Sequence, residues 1–165
     1  MATQTAVTSE QTRQKAGKYL TFVLAEEEYG LEILKVREII GVMDITSVPR
    51  TPAYVKGVIN LRGKVIPVVD LRLKFEMPSA EQTAETCIIV VYVGEMEMGI
   101  LVDKVSEVLD ISGEDIEEAP SFGVNVDTEF ILGIGKAGGK VTILLDIARV
   151  LTKDDLAVAG EAAKA

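Results

Sequence analysis

Residues 54–71 read Tyr-Val-Lys-Gly-Val-Ile-Asn-Leu-Arg-Gly-Lys-Val-Ile-Pro-Val-Val-Asp-Leu, and residues 130–147 read Phe-Ile-Leu-Gly-Ile-Gly-Lys-Ala-Gly-Gly-Lys-Val-Thr-Ile-Leu-Leu-Asp-Ile. The second stretch repeats the first 76 residues later and keeps two glycines, a lysine, a valine and an aspartate in register. A chain that carries one pattern twice is predicted to fold as two similar modules that meet at a seam. Such a seam is a candidate binding surface.

A second repeated stretch lies upstream of the first. Residues 30–40, Gly-Leu-Glu-Ile-Leu-Lys-Val-Arg-Glu-Ile-Ile, match residues 99–109, Gly-Ile-Leu-Val-Asp-Lys-Val-Ser-Glu-Val-Leu, at an offset of 69. The offset grows to 76 because the second copy carries extra loop between Pro120 and Phe130. The repeat therefore extends over most of the chain.

The length of the chain favours one pseudo-symmetric domain. The 165 residues suffice for one domain or two small lobes. A lobe of about 65 residues buries only about 60% of the surface of its unfolded chain, so each lobe alone would be marginally stable. We therefore expect the two copies to pack against each other.

Charge and hydropathy exclude several classes of protein. The formal net charge is −9, from 17 basic and 26 acidic residues, whereas binding to nucleic acid takes clustered Lys and Arg. The longest apolar run, Cys87 to Val93, is far shorter than the ~20 residues of a membrane span. The N-terminus lacks the basic start and apolar middle of a signal peptide. We expect a soluble, cytoplasmic protein in which Cys87 is a small buried hydrophobe.

Short β-rich runs separated by Gly, Pro and acidic residues predict an all-β fold with about five strands in each half. The predicted strands are Tyr19–Ala25, Tyr29–Ile33, Glu38–Met43, Val55–Asn60 and Val65–Leu71, then Ile88–Val93, Met98–Val102, Glu107–Ile111, Phe130–Ile134 and Val141–Ile147. Arg62-Gly63 and Gly138-Gly139 occupy equivalent hairpin turns, where glycine supplies a positive φ. Pro67 has no amide donor, which places its strand at a sheet edge there.

Composition divides the chain into one domain with two tails. Residues 1–17 have no periodicity and predict a disordered tail. The predicted domain and its parts are a single domain at 18–151, lobe 1 at 18–75, a linker at 76–86, lobe 2 at 87–147, and a C-terminal helix and tail at 147–160. The helix is predicted from the apolar spacing after Asp146.

The residue types of common active sites are scarce. The chain has no histidine, which removes the commonest general base and metal ligand, and its single cysteine excludes a thiolate zinc site. The Gly-rich stretch from Gly133 to Val141 fails the phosphate-loop pattern at Ile134 and Val141. No cofactor is expected.

Asp70 and Asp146 are the strongest catalytic candidates, because each ends an apolar strand and a pair of aspartates related by two-fold symmetry could share a proton, as in an acid hydrolase. Aspartic proteases need small hydroxyl and glycine residues directly after the aspartate, however, and here Leu71-Arg72 and Ile147-Ala148 follow. The sequence favours an aspartate that caps the turn after each strand.

The motifs together resemble the CheW family of bacterial chemotaxis coupling proteins. The resemblance runs from about Lys18 to Leu151, and its most specific part is the stretch Gly57-Val-Ile-Asn-Leu-Arg-Gly63. Further matching motifs are Glu28-Tyr29-Gly30 through Val36, Glu38 and Ile39, then Val48-Pro49, Pro52-Ala53-Tyr54 and Pro67-Val-Val-Asp70-Leu-Arg72. The resemblance implies two five-stranded SH3-like barrels, related by pseudo-symmetry, with a hydrophobic core where they meet.

The resemblance also implies a function, that of a non-enzymatic adaptor. Such a protein bridges the cytoplasmic tip of a methyl-accepting chemoreceptor to the regulatory domain of the CheA kinase, and with that domain it builds the rings of a receptor array. The same module occurs within the kinase and in CheV, but these 165 residues include no kinase, His-containing or receiver segment. The stand-alone coupler is therefore the closer match. Neither nucleic acid nor direct membrane insertion is expected.

In the family the receptor tip lies in a groove beside the first lobe. The residues that match by motif position are Ile33, Val36, Glu38, Ile39, Gly57, Asn60, Arg62 and Val108. A helical hairpin in a groove binds to apolar floor residues flanked by charges. The aliphatic residues could equally be barrel core, and Glu38 and Arg62 could be a solvated surface pair. Glu38 has a twin in Glu107, whereas Arg62 is replaced by Gly138 in the second copy.

The kinase is expected to use other surfaces, namely apolar strand edges of the two lobes. Ile66, beside Pro67, and Phe122, in the longer loop of the second copy, are the candidate contacts. Members of the family often carry a basic residue where Glu117 stands, so a charge pair with the partner is lost or reversed here. The shared Gly57 and Gly133 predict a common structural need for a missing side chain, either a positive φ or close packing.

Overall fold

A computed structural model describes residues 17–78, 80–118, 130–137 and 139–151. Its eleven strands are β1 Gly17–Leu24, β2 Glu27–Glu32, β3 Val36–Gly41, β4 Val55–Leu61, β5 Lys64–Asp70, β6 Cys87–Val93, β7 Met96–Val102, β8 Lys104–Ile111, β9 Ile116–Glu117, β10 Ile131–Ala137 and β11 Lys140–Leu145. Two short helices follow the ends of strands, α1 at Leu71–Lys74 and α2 at Ile147–Val150.

All ten predicted strands are present, and the all-β class is confirmed. The short β9 and the helix α1 were not predicted. The repeat could have indicated α1, since α2 was expected after Asp146 and Asp70 is the matching residue. A 3-10 turn at Ile33–Lys35 joins β2 to β3, between two of the predicted strands.

The strands form two sheets that exchange hairpins between the repeats. The five-stranded sheet has the order β3-β6-β7-β5-β4, and the six-stranded sheet has the order β8-β1-β2-β11-β10-β9. The first hairpin of each copy therefore joins the last three long strands of the other copy. The first SH3-like lobe is built from residues 36–102, and the second from 17–32 together with 104–145.

The sheet boundaries correct the predicted division of the domain. Lobe 1 was placed at 18–75 and lobe 2 at 87–147, but neither range holds all the strands of one sheet. The exchanged strands pair in parallel: Val68 lies opposite Gly99 where β5 meets β7, and Leu144 lies opposite Gly30 where β11 meets β2. Parallel strands need a long connection, which the exchange supplies.

Three apolar clusters follow from this arrangement. One lies inside the first lobe around Ile59, Ile66 and Val68, and another lies inside the second lobe around Tyr19, Ile111 and Leu144. The third and largest joins the lobes, and its members include Phe22, Leu31, Tyr29, Ile89, Val91, Ile100, Leu145 and Ile147. The hydrophobic core implied between the lobes is therefore present.

Strand β6 explains the longest apolar run in the sequence. Ile88 and Val90 point into the cluster of the first lobe, whereas Ile89, Val91 and Cys87 point into the cluster between the lobes. A strand that is buried on both faces has no polar side to alternate with, so its residues are apolar throughout. Cys87 is buried, as the sequence predicted.

Asp70 and Asp146 cap the two short helices, as the sequence favoured. Asp70 Oδ1 accepts a hydrogen bond from the Leu73 amide at 3.3 Å, and Asp146 Oδ1 accepts one from the Ala148 amide at 3.1 Å. Their own amides bind the carbonyls of Tyr54 and Phe130, at 2.7 and 2.8 Å. The two aspartates thus serve equivalent turns.

Pro67 lies in a strand that is interior to its sheet, since β5 has β7 on one side and β4 on the other. The ladder with β7 begins only at Val68, however, so Pro67 itself has a partner strand on the β4 side alone. The missing amide of proline is tolerated at such a local edge.

Gly57 and Gly133 lack a side chain because another segment passes close by. A Cβ on Gly57 would lie 2.0 Å from the Thr46 carbonyl oxygen, and the φ of Gly57 is +144°. A Cβ on Gly133 would lie 2.9 Å from the Glu117 carbonyl oxygen. Close packing is therefore the shared need that the sequence predicted, and a positive φ adds to it at Gly57.

A charged pair anchors the crossing from the first lobe to the second. Asp103 lies between β7 and β8, and its two carboxylate oxygens accept from Arg72 Nε at 2.7 Å and Nη2 at 2.5 Å. The Arg72 guanidinium lowers the pKa of the Asp103 carboxyl below its usual value, and a hydrogen bond from the Ala25 amide acts in the same direction. The pair ties helix α1 and the β1–β2 turn to the crossing.

Several predictions lie outside the described residues. These are most of the N-terminal tail at 1–17, the loop that carries Phe122, and the part of the 147–160 helix and tail after Leu151. Within the described ranges, no helix has the length and apolar character needed to cross a membrane.

Candidate functional site

The β4–β5 turn orients Arg62, the residue that breaks the symmetry of the repeat. Arg62 and Gly63 both have positive φ, at 53° and 86°, which is the geometry of a two-residue hairpin turn. Asn60 Oδ1 accepts a hydrogen bond from the Gly63 amide at 2.9 Å and so fixes the turn. Asn60 is therefore a support of the turn as well as an exposed residue.

Arg62 forms an ion pair with Glu38 of β3, 24 residues earlier in the chain. The Arg62 side chain is 61% exposed and the Glu38 side chain 26% exposed. The structure thus brings together the two charged residues that the sequence assigned to the receptor surface. Because β3 is the edge strand of its sheet, the pair lies where another molecule could approach.

Three further charges extend this pair into a network. Arg37 Nη1 lies 3.0 Å from Glu38 Oε1 and 3.3 Å from Glu97 Oε2, and Lys64 Nζ lies 2.9 Å from Glu97 Oε1. We call these residues, Arg37, Glu38, Arg62, Lys64 and Glu97, the β3–β7 charge network. Its net charge is +1, from three cations and two carboxylates, in a chain whose net charge is −9.

Arg37, Lys64 and Glu97 were missed by the sequence analysis. Glu97 lies on β7, 33 residues from Lys64, and only the pairing of β5 with β7 brings the two strands together. A strand pairing between different hairpins leaves no local signal in the sequence.

The aliphatic residues of the predicted groove divide into two groups. Ile39 and Val108 are exposed, whereas Ile33 and Val36 are partly buried and pack against the cluster between the lobes. Val108 lies on β8 in the other sheet, at the position that matches Ile39 in the repeat. Ile39 and Val108 are thus available to a partner, while Ile33 and Val36 also support the fold.

Two predicted contacts require correction. Gly57 is buried, and its missing side chain would face the Thr46 segment, so it shapes the lobe and offers no surface. Ile66 is 1% exposed and packs inside the first lobe, so its side chain is not accessible to a kinase. Strand alternation instead exposes its neighbour Val65.

Two pairs of exposed aliphatic residues are related by the repeat. Val65 and Val141 occupy equivalent positions after the two hairpin turns, as Ile39 and Val108 do on the two edge strands. Leu34, on the 3-10 turn, is 90% exposed and matches Asp103 in the second copy. Hydrophobic periodicity does not reveal these residues, because it cannot tell which face of a small barrel is covered.

The carboxylate of Glu117 forms an ion pair with another residue of the same chain. Glu117 Oε1 accepts from Lys136 Nζ at 2.6 Å, and this hydrogen bond raises the pKa of the Lys136 ammonium. Glu117 thus has a counter-ion within its own chain.

The structure gives the two aspartates a structural role. Asp70 is buried, caps α1 and lies 3.8 Å from Lys56 Nζ, and Asp146 caps α2. Each aspartate caps a different helix, so the acid hydrolase alternative, in which the two would share a proton, gains no support. Over the described ranges, no group of three or more His, Cys, Asp or Glu residues is placed to hold a metal ion.

A family model described as a CheW-like domain matches residues 18–155. The chain is 42% identical over 147 residues to the chemotaxis protein CheW of Klebsiella aerogenes, and the aligned residues cover 89% of each chain. It is 33% identical over 143 residues to the chemotaxis protein CheW of Treponema pallidum, with 83% of each chain covered.

A solved structure is similar over nearly the same range. The crystal structure of the scaffolding protein TtCheW from Thermoanaerobacter tengcongensis aligns with a TM-score of 0.77 at 36% sequence identity. The alignment covers 85% of this chain and 95% of that one.

Proposed function

Because the chain belongs to the family of CheW-like domains, we propose that it is a chemotaxis adaptor without catalytic activity. It couples the cytoplasmic tips of methyl-accepting chemoreceptors to the regulatory domain of the CheA kinase. It acts in the cytoplasm and is recruited to receptor arrays at the membrane.

The observation that carries this proposal is the ion pair of Glu38 and Arg62. The two residues were assigned to one partner surface from separate motifs, and Arg62 in the β4–β5 turn contacts Glu38 on the edge strand β3. Arg62 has no counterpart in the second copy, so the contact is not demanded by the repeated fold. A pair that the fold does not require is a better candidate for binding than a repeated one.

The receptor surface is proposed to lie around β3 and the β4–β5 turn. Exposed Ile39 supplies an apolar contact beside the charges of Glu38 and Arg62, which suits a helical hairpin with an apolar stripe and polar flanks. Val108 extends the surface on the other lobe. The other predicted residues support this surface. Asn60 fixes the turn, Gly57 lets the Thr46 segment pass close by, and Ile33 and Val36 pack against the cluster between the lobes.

The kinase surface is proposed on the exposed strand residues after the hairpin turns. Val65 replaces Ile66 as the contact in the first lobe, because Ile66 is enclosed in the core. Phe122 remains the candidate in the second-copy loop. The side chains assigned to the kinase are different residues from the Glu38–Arg62 pair assigned to the receptor.

Reconstitution of the ternary complex tests the proposal. The tagged kinase regulatory domain should retain a soluble coiled-coil fragment of the chemoreceptor tip only when the adaptor is present. Glu38→Arg should abolish retention of the fragment, whereas Glu107→Arg, the same change at the repeated position on β8, should preserve it. Retention without the adaptor, or equal loss in both variants, would contradict the proposed bridge and its placement.

A further inference from the structure

Glu97 is a nearly buried carboxylate at the centre of the β3–β7 charge network. Its side chain is 10% exposed, and its Oε2 is buried without a hydrogen bond. The Arg37 guanidinium, 3.3 Å away, supplies the opposite charge, while Lys64 binds the other oxygen at 2.9 Å. A buried carboxylate is costly unless it is paired, so Glu97 holds Arg37 in place.

Arg37 is shared between two carboxylates. Its Nη1 lies 3.0 Å from Glu38 Oε1, the same oxygen that Arg62 contacts. Two guanidinium groups therefore share one oxygen of Glu38, and one of them, that of Arg37, is also attracted by Glu97.

We propose that Glu97 is a positioning residue for the receptor surface. By attracting Arg37, Glu97 limits how much of the Glu38 charge Arg37 neutralises, and Glu38 then orients Arg62 toward the receptor tip. Glu97 is too enclosed to touch the partner and acts through Arg37 and Glu38. The inference rests on the proposed function, which assigns the Glu38–Arg62 pair to the receptor.

The substitution Glu97→Gln removes the charge and keeps the size of the side chain. Affinity for the chemoreceptor-tip fragment should fall about three- to tenfold, the range of coupling between residues in one network. Affinity for the kinase regulatory domain should stay within about twofold, since the substitution changes neither Val65 nor Phe122, the residues assigned to that partner. Glu95→Gln, the same change at an exposed site in the same hairpin, is the matched control and should have no effect.

A second substitution separates positioning from a structural role. Adding Arg37→Gln to Glu97→Gln removes the competing guanidinium and should restore receptor affinity to near the wild-type value. Arg37→Gln alone should bind as the wild type does. A double variant as weak as Glu97→Gln, or a Glu97→Gln variant that binds normally, overturns the inference. So does an equal loss for both partners with a lowered melting temperature.

The geometry is also measurable in the free protein, which keeps this inference distinguishable from the proposed function. Nitrogen-15 NMR of the arginine side chains should show the Arg62 guanidinium signal shift in Glu97→Gln and return when Arg37→Gln is added. An unchanged Arg62 signal overturns the inference. A wild-type protein that fails to bind the fragment contradicts the proposed function, while the NMR result still decides the link between Glu97 and Arg62.

Discussion

At the scale of single residues, the structure separates surface contacts from supports. Arg62 and Ile39 are open to a partner, whereas Gly57 and Ile66 are enclosed. The motif that identifies the family therefore mixes residues that bind with residues that shape the lobe. Exposure, which the sequence does not show, distinguishes the two kinds.

Gly57 offers a sharp test of its structural role. Gly57→Ala should lower the free energy of unfolding by at least about 2 kcal/mol, because its Cβ would meet the Thr46 carbonyl and its φ of +144° strains any other residue. Gly133→Ala should cost less, since its contact with Glu117 is longer. Urea denaturation measures both values.

Gly41→Ala serves as the control for these variants. A Cβ there meets nothing within 4 Å, so stability should change little. If Gly57→Ala were as stable as Gly41→Ala, the close approach of the Thr46 segment would not exist in solution.

The misplaced Ile66 shows why residue roles were only partly predictable. The run Val65-Ile-Pro-Val-Val is apolar on both faces, so period-two alternation gives no indication of which residue is enclosed. Arg62 was correctly placed in a turn because Arg-Gly between apolar runs carries its own conformational signal. The sequence therefore predicted the turn at Arg62 but not which side chains of the next strand are buried.

At the scale of elements, the crossing from β7 to β8 depends on one charged pair. Asp103→Asn should lower the free energy of unfolding at pH 7 by about 1.5–3 kcal/mol, the usual contribution of hydrogen bonds to a charged group. Urea denaturation of the variant beside the wild type measures the loss. Asp110→Asn, an exposed change on β8, is the control and should have little effect.

The same pair should give stability a defined dependence on pH. Since Arg72 lowers the pKa of Asp103 in the folded state, the stabilisation is complete above the unfolded pKa of about 3.9. It is lost as the pH falls through the lower folded-state pKa. The difference between wild type and Asp103→Asn should therefore be constant from pH 7 to about 5 and shrink below about 4. A difference that grows on acidification would contradict this assignment.

At the scale of the whole molecule, the exchange of hairpins ties the two lobes together. Residues 1–79 and 80–165 each contain strands of both sheets, so neither half holds a complete lobe. Each fragment alone should be unfolded by circular dichroism, and mixing them should restore the β-sheet signal in a 1:1 complex seen by sedimentation. Cooperative unfolding of either fragment alone would show that a half can form its own lobe.

The exchange also marks the limit of what the sequence predicted. The repeat, the ten strands and the capping aspartates were accessible from the pattern of residues, and the core between the lobes was implied by the family resemblance. The pairing of β5 with β7 and of β2 with β11 was not, because alternation specifies the face of a strand and never its neighbour. The charge network around Glu97 depends on that pairing and was hidden for the same reason.

On the proposed surface, Arg62 contacts the receptor tip and not the kinase. Calorimetric titration of Arg62→Ala against the chemoreceptor-tip fragment and, separately, the kinase regulatory domain tests it most directly. An exposed pair contributes about 0–1 kcal/mol, whereas truncating one partner of a desolvated interfacial pair costs about 2–5 kcal/mol. Receptor affinity should therefore fall at least about tenfold, or ~1.4 kcal/mol, with kinase affinity nearly unchanged. Equal loss for both partners, or no loss for either, would contradict the claim.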